Sequence, residues 1–336
     1  MSLESPLFSI VIPAYNAERF LGLTLQSIFA QTVQDFEIVV VNDGSNDGTL
    51  NLLEQVQDPR LRIITRENGG ECAARNQGMM LARGKYVAFL DSDDVWCTNH
   101  LEQSCRFLDT HQEYMWYSSS YKKTADITET DIKYTGPNRG KVEAVNWYLA
   151  GAPRILPSCV TVRREQVQQF PDLFQVGFKM FGDSLGWSKF AKRYPMIAIS
   201  DKETVLYRYW QGNACTTYNV FNRGRRTEAV KMALDKHAEF YAEPDCPQEA
   251  KLYFQQFALA NWWACITSAV LPEEWRQDWE TRKGVVGAAP TLWMRFCAFA
   301  NTATIRAMRW GVRRVQLRVE KQMARLAALT RQEYRD

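Results

Sequence analysis

Apolar residues in the first hundred positions fall into short, mostly apolar runs, separated by stretches in which they recur at helical spacing. Phe8–Ile12 is the first run and stops at Pro13. Ala17–Gln31 carries Phe20, Leu21, Leu25, Ile28 and Phe29 on one helical stripe, which predicts a helix. Phe36–Val41, Leu61–Ile64 and Tyr86–Leu90 are further runs, with helices predicted over Leu50–Val56 and Ala73–Ala82. Runs without polar alternation are strands buried on both faces, and helices between them predict an α/β fold with a mostly parallel central sheet. A repeat of roughly 25 residues suits right-handed strand–helix–strand units.

Polar clusters stand at the ends of these runs, at Pro13–Asn16, Asn42–Ser45 and Asp91–Asp94. Ligands of such sheets bind beyond the carboxyl ends of the strands, so the clusters mark the candidate site. From Tyr114 to Tyr218 the pattern is mixed, with a polar stretch over Thr124–Lys141, a Gly/Pro-rich stretch over Gly151–Pro157 and a strand predicted at Val160–Val162. From Arg223 onward it is helical, with Trp262, Trp263, Trp275, Trp279 and Trp293 placed to pack on the first part. The division expected is 1–222 for the α/β domain and 223–336 for a helical C-terminal region.

Composition is that of a globular chain: 336 residues, 46% hydrophobic and 24% charged. Three histidines and eight scattered cysteines leave no metal-ligand spacing for zinc and favour buried thiols in a reducing compartment. The N-terminus has neither a basic n-region nor a small-residue cleavage site, and Leu252–Pro272, uncharged but interrupted by Gln255, Gln256 and Asn261, is expected as a buried helix. The net charge of +3 is unevenly spread: residues 291–336 hold ten Lys/Arg against three Asp/Glu, and the rest is net negative. Over 293–328 the basic residues alternate with apolar ones in a predicted amphipathic helix. That helix suits peripheral contact with an anionic membrane, or packing and dimerisation. Nucleic acid is disfavoured because no aromatics are interleaved as stacking platforms.

Three carboxylates in Asp91-Ser92-Asp93-Asp94 repel one another at the end of a buried strand. Without histidine they select a hard cation, Mn2+ or Mg2+, whose other positions go to water and phosphate. The alternative is a loop in which Asp93 or Asp94 caps a helix over Asn99–Leu108. Neither a Gly-rich dinucleotide fingerprint nor a P-loop occurs. Asn68-Gly69-Gly70 with Arg75 could cradle a diphosphate, or be a turn. Asp43 could read a base or ribose, or form an Asx-turn. Asp183 could be a base, or cap a helix over Trp187–Ala191.

Phe8–Asn16, Val40–Ser45, Glu67–Gly70 with Ala74-Arg75-Asn76, Phe89–Asp94 and Phe181–Pro195 resemble, in order and spacing, the successive signatures of family 2 inverting glycosyltransferases with the GT-A fold. Leu206–Asn213 is similar to the family's later phosphate-side loop. The resemblance implies a nucleotide-sugar-binding domain with Pro13, Ala14 and Tyr15 lining the nucleoside pocket and Asp43 on the base. Asn68, Gly70 and Arg75 would lie near the nucleotide, with Asp91 and Ser92 on the ribose or metal side. Asp93, with Asp91, would hold the divalent cation, and Asp183 would be the general base. It implies transfer of one sugar, by default from a UDP-sugar, to a hydroxyl of a glycan or lipid-linked acceptor. The setting would be cell-envelope polysaccharide synthesis at the cytoplasmic face of the membrane. The Gln-x-x-Arg-Trp signature of processive synthases is missing.

Two positions depart from that pattern. Gly182 stands where the family usually has a glutamate before the base aspartate, and Trp210 where many relatives carry histidine. They motivate a second reading, a catalytically weak nucleotide-sugar-binding scaffold of a glycan assembly complex.

Overall fold

The computed structural model describes residues 5–132, 140–149, 155–178, 180–210, 223–254, 257, 321–322, 324–325, 328 and 332–335. Its first units are β1 (Phe8–Ala14), α1 (Glu18–Phe29), β2 (Phe36–Asp43), α2 (Thr49–Glu54), β3 (Leu61–Arg66), α3 (Glu71–Leu81) and β4 (Tyr86–Phe89). Each expected element is present, and β1, β2 and β3 each run two residues further than their apolar runs. β1 pairs in parallel with β2 and β4, and β2 with β3. These four strands form a wholly parallel half of the sheet.

Burial on both faces explains why β1, β2 and β4 are apolar at successive positions. Along β1, Ile10 and Ile12 enter one core with Leu21, Leu25 and Ile28 of α1, while Val11 enters the other with Met79 and Phe89. Each such side chain contributes about 1.5–3 kcal/mol on burial. Gly78 lets α3 lie close on β1, since a Cβ there would come 2.5 Å from Val11 Cγ1.

The second half of the sheet is mixed. β5 (Val95–Trp96) and α4 (His100–Thr110) precede β6 (Trp116–Thr124), α5 (Glu129–Ile132), β7 (Lys141–Asn146), β8 (Val160–Arg163), α6 (Arg164–Val167), α7 (Gly182–Arg193) and β9 (Met196–Arg208). β8 is antiparallel to β4 and β6, β9 is parallel to β6 and antiparallel to β5 and β7, and β10 (Gln332–Arg335) is antiparallel to β7. Asp93 and Asp94 do not cap α4: its N-cap is Asn99, which makes no side-chain capping bond.

Helix Arg223–Tyr241 and the segment 248–254 share the core of the sheet. Leu234, Tyr241, Tyr253 and Phe254 cluster with Trp116, Trp147, Tyr148 and Trp187. Tyr241 donates to Ser188 Oγ at 2.6 Å. Among the described residues no helix is long and apolar enough to cross a membrane. Most of Leu252–Pro272, the five tryptophans from Trp262 to Trp293 and most of the basic 293–328 stretch lie outside the described residues.

Candidate active site

The carboxyl ends of β1, β2 and β4 are tied together by loops that satisfy one another's backbone groups. α1 has no capping side chain of its own. Thr49 Oγ1 accepts the Ala17 N–H at 2.8 Å and Asp47 Oδ2 the Glu18 N–H at 3.2 Å, so the loop after β2 covers the exposed donors of α1. Asn16, at φ 49°, donates its N–H to Ser45 Oγ and accepts from the Asn46 N–H. Pro13 and Ala14 are buried opposite Val41 and Asn42, and Tyr15 projects beyond them, half exposed.

Asp43, at the end of β2, is buried and accepts the N–H groups of Gly69 at 3.0 Å and Gly70 at 2.7 Å. Arg66 pairs with it at 3.1 Å. Asn68 closes the same turn by donating from Nδ2 to the Asp43 carbonyl at 3.0 Å. Gly70 has φ 88°, open to glycine at little cost, and starts α3. The Asx-turn alternative is thereby replaced by a longer-range tie, since Asp43 holds a turn some 26 residues on.

Arg75, only 1% exposed, sits one helical turn into α3. Its Nη2 donates to Asp91 Oδ1 at 2.6 Å and also pairs with Glu71 Oε1. The guanidinium lies 5.1 Å from the Phe174 ring centroid. Asp183, in the first turn of α7, is within electrostatic reach of Arg75 and Glu71. Burial pushes its carboxyl above the usual range; Arg75 opposes that rise and Glu71 adds to it. Gly182, the residue before Asp183, packs against Cys72 Sγ, so the start of α7 faces the first turn of α3, the helix that carries Arg75. Phe181, not Asp183, is the N-cap, in a left-handed conformation.

The three aspartates after β4 divide in role. Asp94 is fully buried and structural: its carboxylate accepts from Ser158 Oγ at 2.6 Å and from the Arg208 N–H at 3.0 Å. Asp93 Oδ2 accepts the Trp210 indole N–H at 3.0 Å. Asp91 Oδ1 is taken by Arg75. Burial raises the carboxyl pKa of all three. Ser92 contributes its carbonyl to Thr24 Oγ1.

Among the described residues no three His, Cys, Asp or Glu side chains are grouped to enclose a cation. Asp91 Oδ2 and Asp93 Oδ1 nonetheless meet no side-chain donor among them. Two carboxylates with oxygens to spare fit a hard divalent ion whose other positions are filled by water and phosphate.

Residues 9–170 match the model of "Glycosyl transferase family 2". Over that stretch the chain is similar to this family. It is 28% identical over 211 residues to the putative glycosyltransferase EpsH of Bacillus subtilis, covering 62% of this chain and 61% of that protein. It is 35% identical over 131 residues to the UDP-Glc:alpha-D-GlcNAc-diphosphoundecaprenol beta-1,3-glucosyltransferase WfaP of Escherichia coli, covering 39% and 50%. The match thus spans half to three-fifths of these two family 2 relatives. The fold is that of GT-A glycosyltransferases. S. aureus TarS in complex with UDP-GlcNAc superposes with a TM-score of 0.65 at 20% identity, covering 92% of each chain. The mannosyltransferase PcManGT of Pyrobaculum calidifontis, in complex with GDP-Man and Mn2+, gives 0.57 at 17%, covering 97% and 87%.

The family departure at Gly182 has a steric cause. A Cβ there would come 2.5 Å from Cys72 Sγ, which fills the space a glutamate would need. Burial pushes the Cys72 thiol up to about 12, so it acts as packing, not as a nucleophile. Sequence reasoning missed Ser158, which joins Asp94 to the Asp91 N–H, and Glu71, the second partner of Arg75. A serine in a Pro-Ser-Cys stretch gives no sequence signal, whereas Glu71 stands at i−4 from Arg75, a spacing that pairs charges on a helix.

Proposed function

We propose that the chain is an inverting glycosyltransferase that moves one sugar from a UDP-sugar to a hydroxyl of a glycan or lipid-linked acceptor. The observation that carries this reading is the packing of Gly182, next to Asp183, on Cys72 of α3, the helix whose Arg75 holds Asp91 beyond the carboxyl end of β4. The UDP-GlcNAc complex of a fold neighbour and the lipid-linked acceptor in a relative's name support the substrate classes.

In the reaction the acceptor oxygen bonds to the anomeric carbon as the bond to the diphosphate oxygen breaks, and the acceptor proton passes to Asp183. A raised carboxyl makes a stronger base, provided the pH keeps it ionised. Pro13, Ala14 and Tyr15 line the nucleoside pocket. Asp43 holds the Gly69–Gly70 turn and takes a base N–H with its remaining lone pairs. Asn68, Gly70, Arg75, Asp91 and Ser92 bound the nucleotide side. Asp93 and Asp91 are the residues that would hold Mn2+ or Mg2+, and such an ion, when bound, neutralises charge on the leaving diphosphate.

Residues 1–222 would form the transferase domain and 223–336 the helical region, whose basic stretch 291–336 makes peripheral contact with the cytoplasmic membrane face. Sedimentation with anionic and neutral vesicles tests that contact.

The main test is calorimetric titration with UDP, GDP and dTDP, each with Mn2+ and with chelator, followed by product analysis with a UDP-sugar. Metal-dependent binding of one nucleotide and an inverted anomeric product support the reading. Nucleotide binding without transfer, unchanged in Asp183→Asn, would favour the scaffold, the reading to which Gly182 points.

A further inference from the structure

Glu71 is the acidic group of this site that neither the sequence signatures nor the mechanism above uses. Its side chain is 56% exposed, yet it is tethered: Oε1 pairs with Nη2 of the buried Arg75 one turn along α3. Oε2 meets no side-chain donor among the described residues. Arg75 Nε, fully buried, likewise meets no acceptor among them, so the guanidinium holds Glu71 and Asp91 through Nη2.

Three observations place Glu71 at the transfer point. It shares Arg75 Nη2 with Asp91 Oδ1, so one buried guanidinium holds the two carboxylates side by side. It directly follows the Asn68–Gly70 turn that Asp43 anchors, which puts it on the nucleotide side of the site. It also directly precedes Cys72, whose Sγ closes off position 182, so the second carboxylate missing from the base segment has a counterpart on the facing helix. Gathering like charges costs stability, and such arrangements concentrate at working sites. A fixed, half-exposed carboxylate with a free oxygen accepts hydrogen bonds from hydroxyl groups, the groups a sugar presents.

Resting on the transferase reading, we infer that Glu71 binds a hydroxyl of the donor sugar, fixing the sugar between Asp183 and the diphosphate side.

The test needs no acceptor. The full chain with Mn2+ is titrated with UDP, UDP-glucose, UDP-galactose and UDP-GlcNAc, then compared with Glu71→Gln and Glu71→Asp. For the UDP-sugar that wild type binds, the ratio of its affinity to that of UDP is expected to fall about ten-fold in Glu71→Gln, the scale of one hydrogen bond to a charged group. UDP affinity stays within two-fold, and Glu71→Asp recovers part of the loss. An unchanged ratio overturns the inference. So does an equal loss for UDP and UDP-sugar, which would reduce Glu71 to a support for Arg75. Wild type that binds no UDP and no UDP-sugar defeats the transferase reading instead, so the two failures are distinguishable.

Discussion

Trp210 Nε1 lies 3.0 Å from Asp93 Oδ2, so an indole that can only donate holds the carboxylate on which cation binding would depend. The ring is itself held, at 5.0 Å from Phe20, with the Arg208 guanidinium 4.6 Å from the centroid of that phenylalanine. A histidine there could offer a lone pair to a cation; this indole cannot.

Trp210→Phe keeps the stacking and removes the N–H. It is expected to lower the thermal midpoint by about 2 °C and to make UDP binding several-fold more sensitive to Mn2+ removal, because Asp93 Oδ2 is released. Titration with Mn2+ and with EDTA reads this. An unchanged ratio would detach Asp93 from any cation site.

Asp183→Asn should cut transfer by about 100-fold or more while leaving UDP affinity within two-fold. As a general base Asp183 would work as a carboxylate, and its pKa lies above the usual range because of burial and Glu71. Activity should therefore fall on the acid side at a higher pH than an ordinary aspartate would give. A kcat/KM profile flat down to pH ~4 would contradict the assignment.

Gly182→Ala should cost about 1–3 kcal/mol, the range for forcing a methyl into a packed site. Its Cβ would stand 2.5 Å from Cys72 Sγ. In a Cys72→Ala background most of that cost should vanish, a coupling that urea unfolding of the four members of the cycle would measure. Additive costs would place the strain elsewhere.

Asp43→Ala leaves the Gly69 and Gly70 N–H groups and Arg66 without their acceptor. A loss of about 3 kcal/mol is expected from removing hydrogen bonds to a buried charge, with UDP affinity falling as the turn loosens. Asp43→Asn, which keeps one carbonyl oxygen, should lose less of both. Equal losses in the two variants would argue against the hydrogen bonds as the cause.

β1, β2 and β4 were legible because both of their faces are buried, so Ile10, Val11 and Ile12 are all apolar whichever way they point; β3, half-buried at the sheet edge, was legible through Leu61, Ile63 and Ile64. β6 and β9 were not, because Ser118, Ser119, Lys202 and Thr204 are buried within them and break the hydrophobic run. Two of these have partners far along the chain: His100 Nδ1 meets Thr204 Oγ1 at 2.8 Å, and Lys202 Nζ donates to Gln103 Oε1 at 2.9 Å. Order and spacing likewise marked Asp91–Asp94 as a cluster, but could not divide it. That Asp94 serves Ser158 and β9 while Asp91 serves Arg75 depends on which element each side chain faces. Glu71 was hidden for the same reason, since its role depends on what lies across from α3.

The pairing of β10 with β7 has a practical side. Gln332–Arg335 covers the open rim of β7, Lys141–Asn146, along which backbone donors and acceptors would otherwise face outward. The covering strand is only four residues long, which discourages further strand addition. A version trimmed to the catalytic half would lose that cover and present β7 as a template. Such trimmed protein should self-associate with rising concentration where the full chain does not, so shortening the gene from its 3′ side is a poor route to a tractable enzyme.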